Sequence, residues 1–148
     1  MNNFAAKDAK DAKEKPVEED QIGTLVVDAS MKVHTVLGAG FLEGIYETCL
    51  AYELEKRGLI VKRQAALSIE YDDLRLDNAF RLDLLVNDAV VIEIKAIDIL
   101  LPVHTAQLLS YLKLGKYRLG YLLNFNVAHM ERILMILPLR PWRRGFRK

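Results

Sequence analysis

Phe80–Tyr111 reads FRLDLLVNDAVVIEIKAIDILLPVHTAQLLSY. Apolar residues alternate on both sides of Asn87-Asp88, a dipeptide that favours a turn, so two strands joined by a hairpin are expected. Alternate side chains of a strand share a face. Phe80, Leu82, Leu84 and Val86 therefore form one set, opposed to Arg81, Asp83 and Leu85. In the second strand Val90, Ile92 and Ile94 oppose Val91, Glu93 and Lys95. If the apolar sets share a core, Asp83, Glu93 and Lys95 lie together on the other side. A two-residue loop would pair Asp83 with Ile92 and separate the charges. A three-residue loop, Asn87-Asp88-Ala89, pairs Asp83 with Glu93, and that loop is expected.

Two facing carboxylates repel unless a cation lies between them. Lys95 supplies part of that charge, and a divalent cation supplies more. Oxygen ligation with positions left open suits Mg²⁺ or Mn²⁺ rather than zinc. The competing reading is a solvated face held by ion pairs among Arg81, Asp83, Glu93 and Lys95. Leu85, Val91 and the apolar flanks argue for a sheet covered on both faces, in which enclosed charges need partners or a function.

Outward from this stretch, the pattern predicts helices over 20–37 and 42–57. The first buries Ile22, Leu25, Val26, Ala29, Val33 and Val36, with Asp20 as its cap; the second buries Leu42, Ile45, Cys49, Leu50 and Leu54 and stops at Gly58. Gly38-Ala39-Gly40 makes a tight turn between them and is no dinucleotide fingerprint, since it follows a helix. Glu43, Tyr46 and Glu47 are helical neighbours, and Glu43 in the first turn suits the helix dipole. Strands follow from near Leu59, over Leu74–Val86 with a bend near Asp77-Asn78, and over Ala89–Ala96. A helix over Val103–Leu114 leads to a strand over Tyr117–Phe125, and 132–137 is either a strand or a short helix. The result is one α/β domain with a mixed sheet flanked by helices, spanning 20–138. Residues 1–19, with AAKDAKDAKEKPVEE, read as a disordered charged leader, and 139–148 as a basic tail.

The 148 residues suit a single core, and 21 basic against 20 acidic side chains leave nucleic-acid binding to local patches. The lone cysteine, Cys49, excludes an internal disulfide, and no Cys/His spacing matches a zinc site. With no signal-like or membrane-length apolar run, a cytoplasmic protein without a membrane partner is expected.

Asp83 and Glu93-Ile94-Lys95 on consecutive strands between helices resemble the PD-(D/E)XK nuclease superfamily and its αβββαβ core, although Leu82 stands where its motif has proline. Gln107-Leu108-Leu109-Ser110-Tyr111 is similar to the Q-x-x-x-Y motif of its exonuclease-like branches. Gly40-Phe41-Leu42-Glu43-Gly44-Ile45-Tyr46 is similar to the signature of its GxxExxY family. The resemblance spans about 22–137. It implies a Mg²⁺- or Mn²⁺-dependent nuclease hydrolysing phosphodiester bonds in DNA or RNA. Asp83 and Glu93 would hold the metal with the Ile94 carbonyl, and Glu43 would serve as accessory ligand or orienting group. Lys95 would activate water, and Gln107 and Tyr111 would steady the lysine, the water or a phosphate. Tyr46 and His104 read as packing residues. Arg75, Arg81, Lys113 and the tail are candidates for phosphate contact. The alternative is a catalytically inactive module of the same fold that binds nucleic acid or a protein partner, including a second copy as a homodimer.

Overall fold

The computed structural model describes residues 16–129 and 134–136, with side chains for 19–129. Most of the expected leader and the whole basic tail lie outside the described residues. The elements run α1 (Pro16–Leu37), α2 (Glu43–Lys56), β1 (Val61–Tyr71), β2 (Leu74–Val86), β3 (Val90–Lys95), α3 (Pro102–Gly115), β4 (Leu119–Asn124) and β5 (Leu134–Ile136). The sheet order is β1-β2-β3-β4-β5. β1, β2 and β3 form an antiparallel meander, β4 returns through α3 to lie parallel to β3, and β5 is antiparallel to β4. The last element is therefore a strand, and the fold is the expected mixed-sheet α/β arrangement.

Helices cover both faces of the sheet. On one, Ile22, Val26, Ala29 and Val33 of α1 and Tyr46, Leu50 and Leu54 of α2 meet Leu84, Val86, Val90, Ile92, Ile94, Leu123 and Phe125. On the other, Leu108, Tyr111 and Leu112 of α3 meet Leu67, Leu82, Leu85, Val91 and Leu122. Each fully buried aliphatic side chain here contributes about 1.5–3 kcal/mol. Gly120 lets α3 approach β4 closely, because a Cβ there would lie 3.0 Å from a Leu112 methyl.

Three local expectations are corrected. Asp20 does not cap α1, which starts at Pro16; the Asp20 carbonyl accepts a hydrogen bond from Thr24 Oγ1 inside the helix. Val36 is exposed near the end of α1, as are Leu42, the residue before α2, and Ile45 within it. The α2 core side is instead set by Tyr46, which stacks on Phe125 at 4.6 Å. Its hydroxyl donates to the Gly38 carbonyl at 2.6 Å and accepts from Phe41 N. The Gly38–Gly40 turn, with φ of +70° and +109° at its glycines, is thus clamped by Tyr46, which delivers Glu43 and Glu47 to the sheet.

The third correction concerns strand faces. Phe80, Leu82, Leu84 and Val86 do not share one side. Leu84 and Val86 pack under α1 and α2, whereas Phe80 and Leu82 pack under α3. β1 changes sides in the same row, with Val61 toward α1 and α2 but Ala65 and Leu67 toward α3. The row at which both strands turn over contains Gln64 and Asp83.

Candidate active site

The hairpin loop sets the register. Asn87 and Asp88 have φ of +51° and +52°, and Ala89 N donates to the Val86 carbonyl at 2.9 Å, the geometry of a tight turn with both central residues left-handed. Ala89 is the extra residue, so Val86 pairs with Val90, Leu85 with Val91 and Leu84 with Ile92. Continued by one step, this register sets Asp83 opposite Glu93, as the odd loop requires.

At that step the ladder gives way to side chains. Ile94 N donates to Asp83 Oδ2 at 2.8 Å, and Asp83 N donates to Glu93 Oε2 at 3.1 Å. Each acid thus accepts a backbone N–H from the opposite strand, and each keeps its second oxygen out of that exchange. The site lies at the C-terminal end of β3, where α2 also arrives: Ala96 N donates to Glu43 Oε2 at 3.2 Å.

The electrostatics are those of two carboxyls buried side by side. Burial raises the pKa of Glu93, the Asp83 charge raises it further, and the value reaches about 8; the Asp83 N–H and Lys95 act against this, and a hydrogen bond shared with the Asp83 carboxyl adds to the rise. Asp83 is raised chiefly by burial and by the charges of Glu47 and Glu43, against the Ile94 N–H and Gln64. Tyr111 is raised by burial and by Glu93 and Asp83, so its hydroxyl stays protonated beside the carboxyls. The half-buried Lys95 forms no ion pair among the described residues, and neither Asp83 nor Glu93 is salt-bridged. The ion-pair lattice that would have explained these charges structurally is absent from the described residues.

The donor set fits a hard divalent cation. It offers the paired carboxylates of Asp83 and Glu93 alone: among the described residues no three His, Cys, Asp or Glu side chains group so as to hold a metal ion, so Glu43 is not brought in as a third ligand. Few protein ligands and several open positions are what Mg²⁺-type ions accept.

The remaining candidates divide. Tyr111 is buried under the sheet and packs on Phe80, with ring centres 5.0 Å apart. Gln107, one turn earlier, is exposed, and no hydrogen bond ties it to the carboxyls. Arg81 is exposed and donates to the Gln64 carbonyl at 3.3 Å. Arg75 is occupied by Asp77 and Glu70 on the distal hairpin, while Lys113 is exposed on α3. His104 accepts from Leu101 N at 2.9 Å and secures the start of α3. A cleft of about 550 Å³ lies beside the hairpin loop, lined by Asp88, Lys116, Tyr117 and Arg118 among others. It is at the opposite end of β3 from the carboxyls.

Sequence reasoning missed two participants. Glu47 was recognised only as a neighbour of Glu43. It is buried, and it accepts from Arg63 Nε at 3.0 Å and Gln64 Nε2 at 2.9 Å. Gln64 also points its amide at Asp83 Oδ1, 3.4 Å away. The helical spacing from Glu43 hinted at Glu47; nothing in Lys62-Arg63-Gln64 hinted at Gln64.

A family model described as the PD-(D/E)XK nuclease superfamily matches residues 20–135, well over half of the chain. No curated protein and no solved structure gives a significant match.

Proposed function

Because the chain belongs to the PD-(D/E)XK nuclease superfamily, we propose that it is a divalent-metal-dependent nuclease acting on DNA or RNA, with Mg²⁺ or Mn²⁺ held by Asp83 and Glu93. The observation that carries this reading is the pairing of Asp83 with Glu93 at the end of β3, each accepting a backbone N–H from the opposite strand. A bound cation would supply positive charge to phosphate oxygens and make water more acidic. The Ile94 carbonyl would be a further ligand to such a cation, and Glu43, held at Ala96 N, would orient the edge of its site. Lys95 approaches the same end of the strand with its charge unspent. Its ammonium group donates hydrogen bonds that orient the attacking water or stabilise charge on the phosphate. Tyr111, protonated beside the acids, offers a hydrogen bond to a phosphate oxygen. Gln107 and Arg81 are exposed where they reach substrate rather than metal.

Gly40, Glu43 and Tyr46 support assignment to the GxxExxY branch, since the turn, the acid and its tyrosine clamp act together. A cytoplasmic location belongs to the same reading, supported by the single half-buried cysteine and by the absence, among the described residues, of any helix long and apolar enough to cross a membrane.

The test is incubation with labelled single-stranded and double-stranded DNA and RNA, in Mg²⁺ or Mn²⁺ and in EDTA. Cleavage that requires the metal and disappears in Asp83→Asn and Lys95→Ala supports the proposal. Cleavage that survives these substitutions points to a contaminant.

A further inference from the structure

We propose that Gln64 is a positioning residue for Asp83. Its left-handed backbone turns β1 over at the site, and its carboxamide ties the Asp83 carboxyl to buried Glu47. This rests on the nuclease reading above and adds a residue to it.

The first observation is the backbone. Asp72, Asn87 and Asp88 have positive φ in hairpin turns, Asn78 at the register shift between β1 and β2, and Lys116 at a helix end. Gln64, at φ +51°, lies inside a ladder whose register is unchanged on either side, with Arg63 opposite Leu84 and Ala65 opposite Leu82. A residue with a Cβ pays about 1 kcal/mol or more for that conformation, and such strain persists only where the surroundings impose it. Glycine would occupy the position without the penalty.

The second observation is what the side chain does in return. Nε2 is 2.9 Å from Glu47 Oε1 and 3.4 Å from Asp83 Oδ1. Both neighbours are acceptors, so the NH₂ group must face them and the amide orientation is dictated. Glu47 is itself fixed by Arg63. Asp83 is therefore held at both oxygens, Oδ2 by the Ile94 N–H and Oδ1 by an amide anchored on α2. Without Gln64, the Asp83 carboxyl would be held by the Ile94 N–H alone, and Oδ1 could swing about that bond toward or away from Glu93.

A merely structural role and a positioning role predict opposite responses to Gln64→Gly. If Gln64 only shapes the strand, glycine serves as well and function persists. If it positions Asp83, Gln64→Gly is at least as heat-stable as the wild type, because strain is relieved. Its Mn²⁺ affinity, measured by calorimetry on the full chain, and its metal-dependent cleavage each fall about ten-fold, within the range for residues that orient a metal ligand. Gln64→Asn, which tolerates the left-handed backbone but reaches one methylene less, gives the same loss should the glycine variant fold poorly. Unchanged Mn²⁺ affinity in both variants overturns the inference alone, and so does a loss that follows a fall in melting temperature. A wild-type protein that binds no Mn²⁺ overturns the nuclease reading and the inference with it.

Discussion

Glu53 and Glu93 are two shielded glutamates with opposite surroundings. Glu53, on the side of α2 facing α1, has Arg57 at 2.7 Å, Lys32 at 3.6 Å and Lys56 at 3.8 Å. Its pKa is lowered, first by the Arg57 hydrogen bond and then by the three cations against burial. Arg57 also reaches Asp28 at 2.9 Å, so the cluster stitches α1 to α2. Glu93 meets another acid instead, and its pKa is raised to about 8. A charge kept for structure is supplied with its counter-charges by the chain. Among the described side chains, Lys95 alone favours the charged form of Glu93.

The largest effect is expected from substituting the paired acids. Asp83→Asn is expected to lower metal-dependent cleavage at least about a hundred-fold without lowering thermal stability. Its neutral amide still accepts from Ile94 N and no longer repels Glu93. Retained cleavage, or a large fall in melting temperature, would place Asp83 with the structural charges.

The pH dependence of stability is next in size, and the two glutamates carry opposite signs. Between the unfolded value of 4.5 and the folded value of about 8, the metal-free folded protein keeps a proton on Glu93 that the unfolded chain has lost. Stability therefore falls as pH rises through this window, by up to about 1.4 kcal/mol per unit. Denaturation in EDTA at several pH values should show the decline, Glu93→Gln should flatten it, and Mn²⁺ should restore stability near pH 8. Glu53, with its lowered pKa, contributes stability that is present above 4.5 and is lost as pH falls through the folded value.

Glu53→Gln should cost about 1–2 kcal/mol at pH 7 and remove its share of the acid-side loss, with cleavage unchanged within about two-fold at a temperature where it remains folded. Smallest is Tyr46→Phe. It removes the hydroxyl bonded to Gly38 and Phe41 while keeping the stack on Phe125, for a loss of about 1 kcal/mol in chemical denaturation.

Much of this site could be read from residue spacing. Period-two patterning and the odd loop at Asn87–Ala89 bring Asp83 to Glu93, because register is an arithmetic consequence of loop length. The helices and the parallel return of β4 follow from equally local signals. The turning over of β1 and β2 does not. Alternation assigned Leu82 and Leu84 to one face, yet they enter different cores, because both strands turn over in the row of Gln64 and Asp83 and no residue type there announces it. The buried side of α2 was likewise decided by a distant partner, Phe125, which draws Tyr46 inward and leaves Leu42 and Ile45 exposed. Glu47 escaped notice for a related reason: its importance depends on Gln64 and Arg63, and their approach is tertiary.

The most direct test of the central claim is a crystal structure of the protein soaked with Mn²⁺, inspected by anomalous scattering. The account predicts a peak about 2.1 Å from carboxylate oxygens of both Asp83 and Glu93, with Glu43 close by. An empty site at a Mn²⁺ concentration that supports cleavage, or a peak held by other residues, would contradict it.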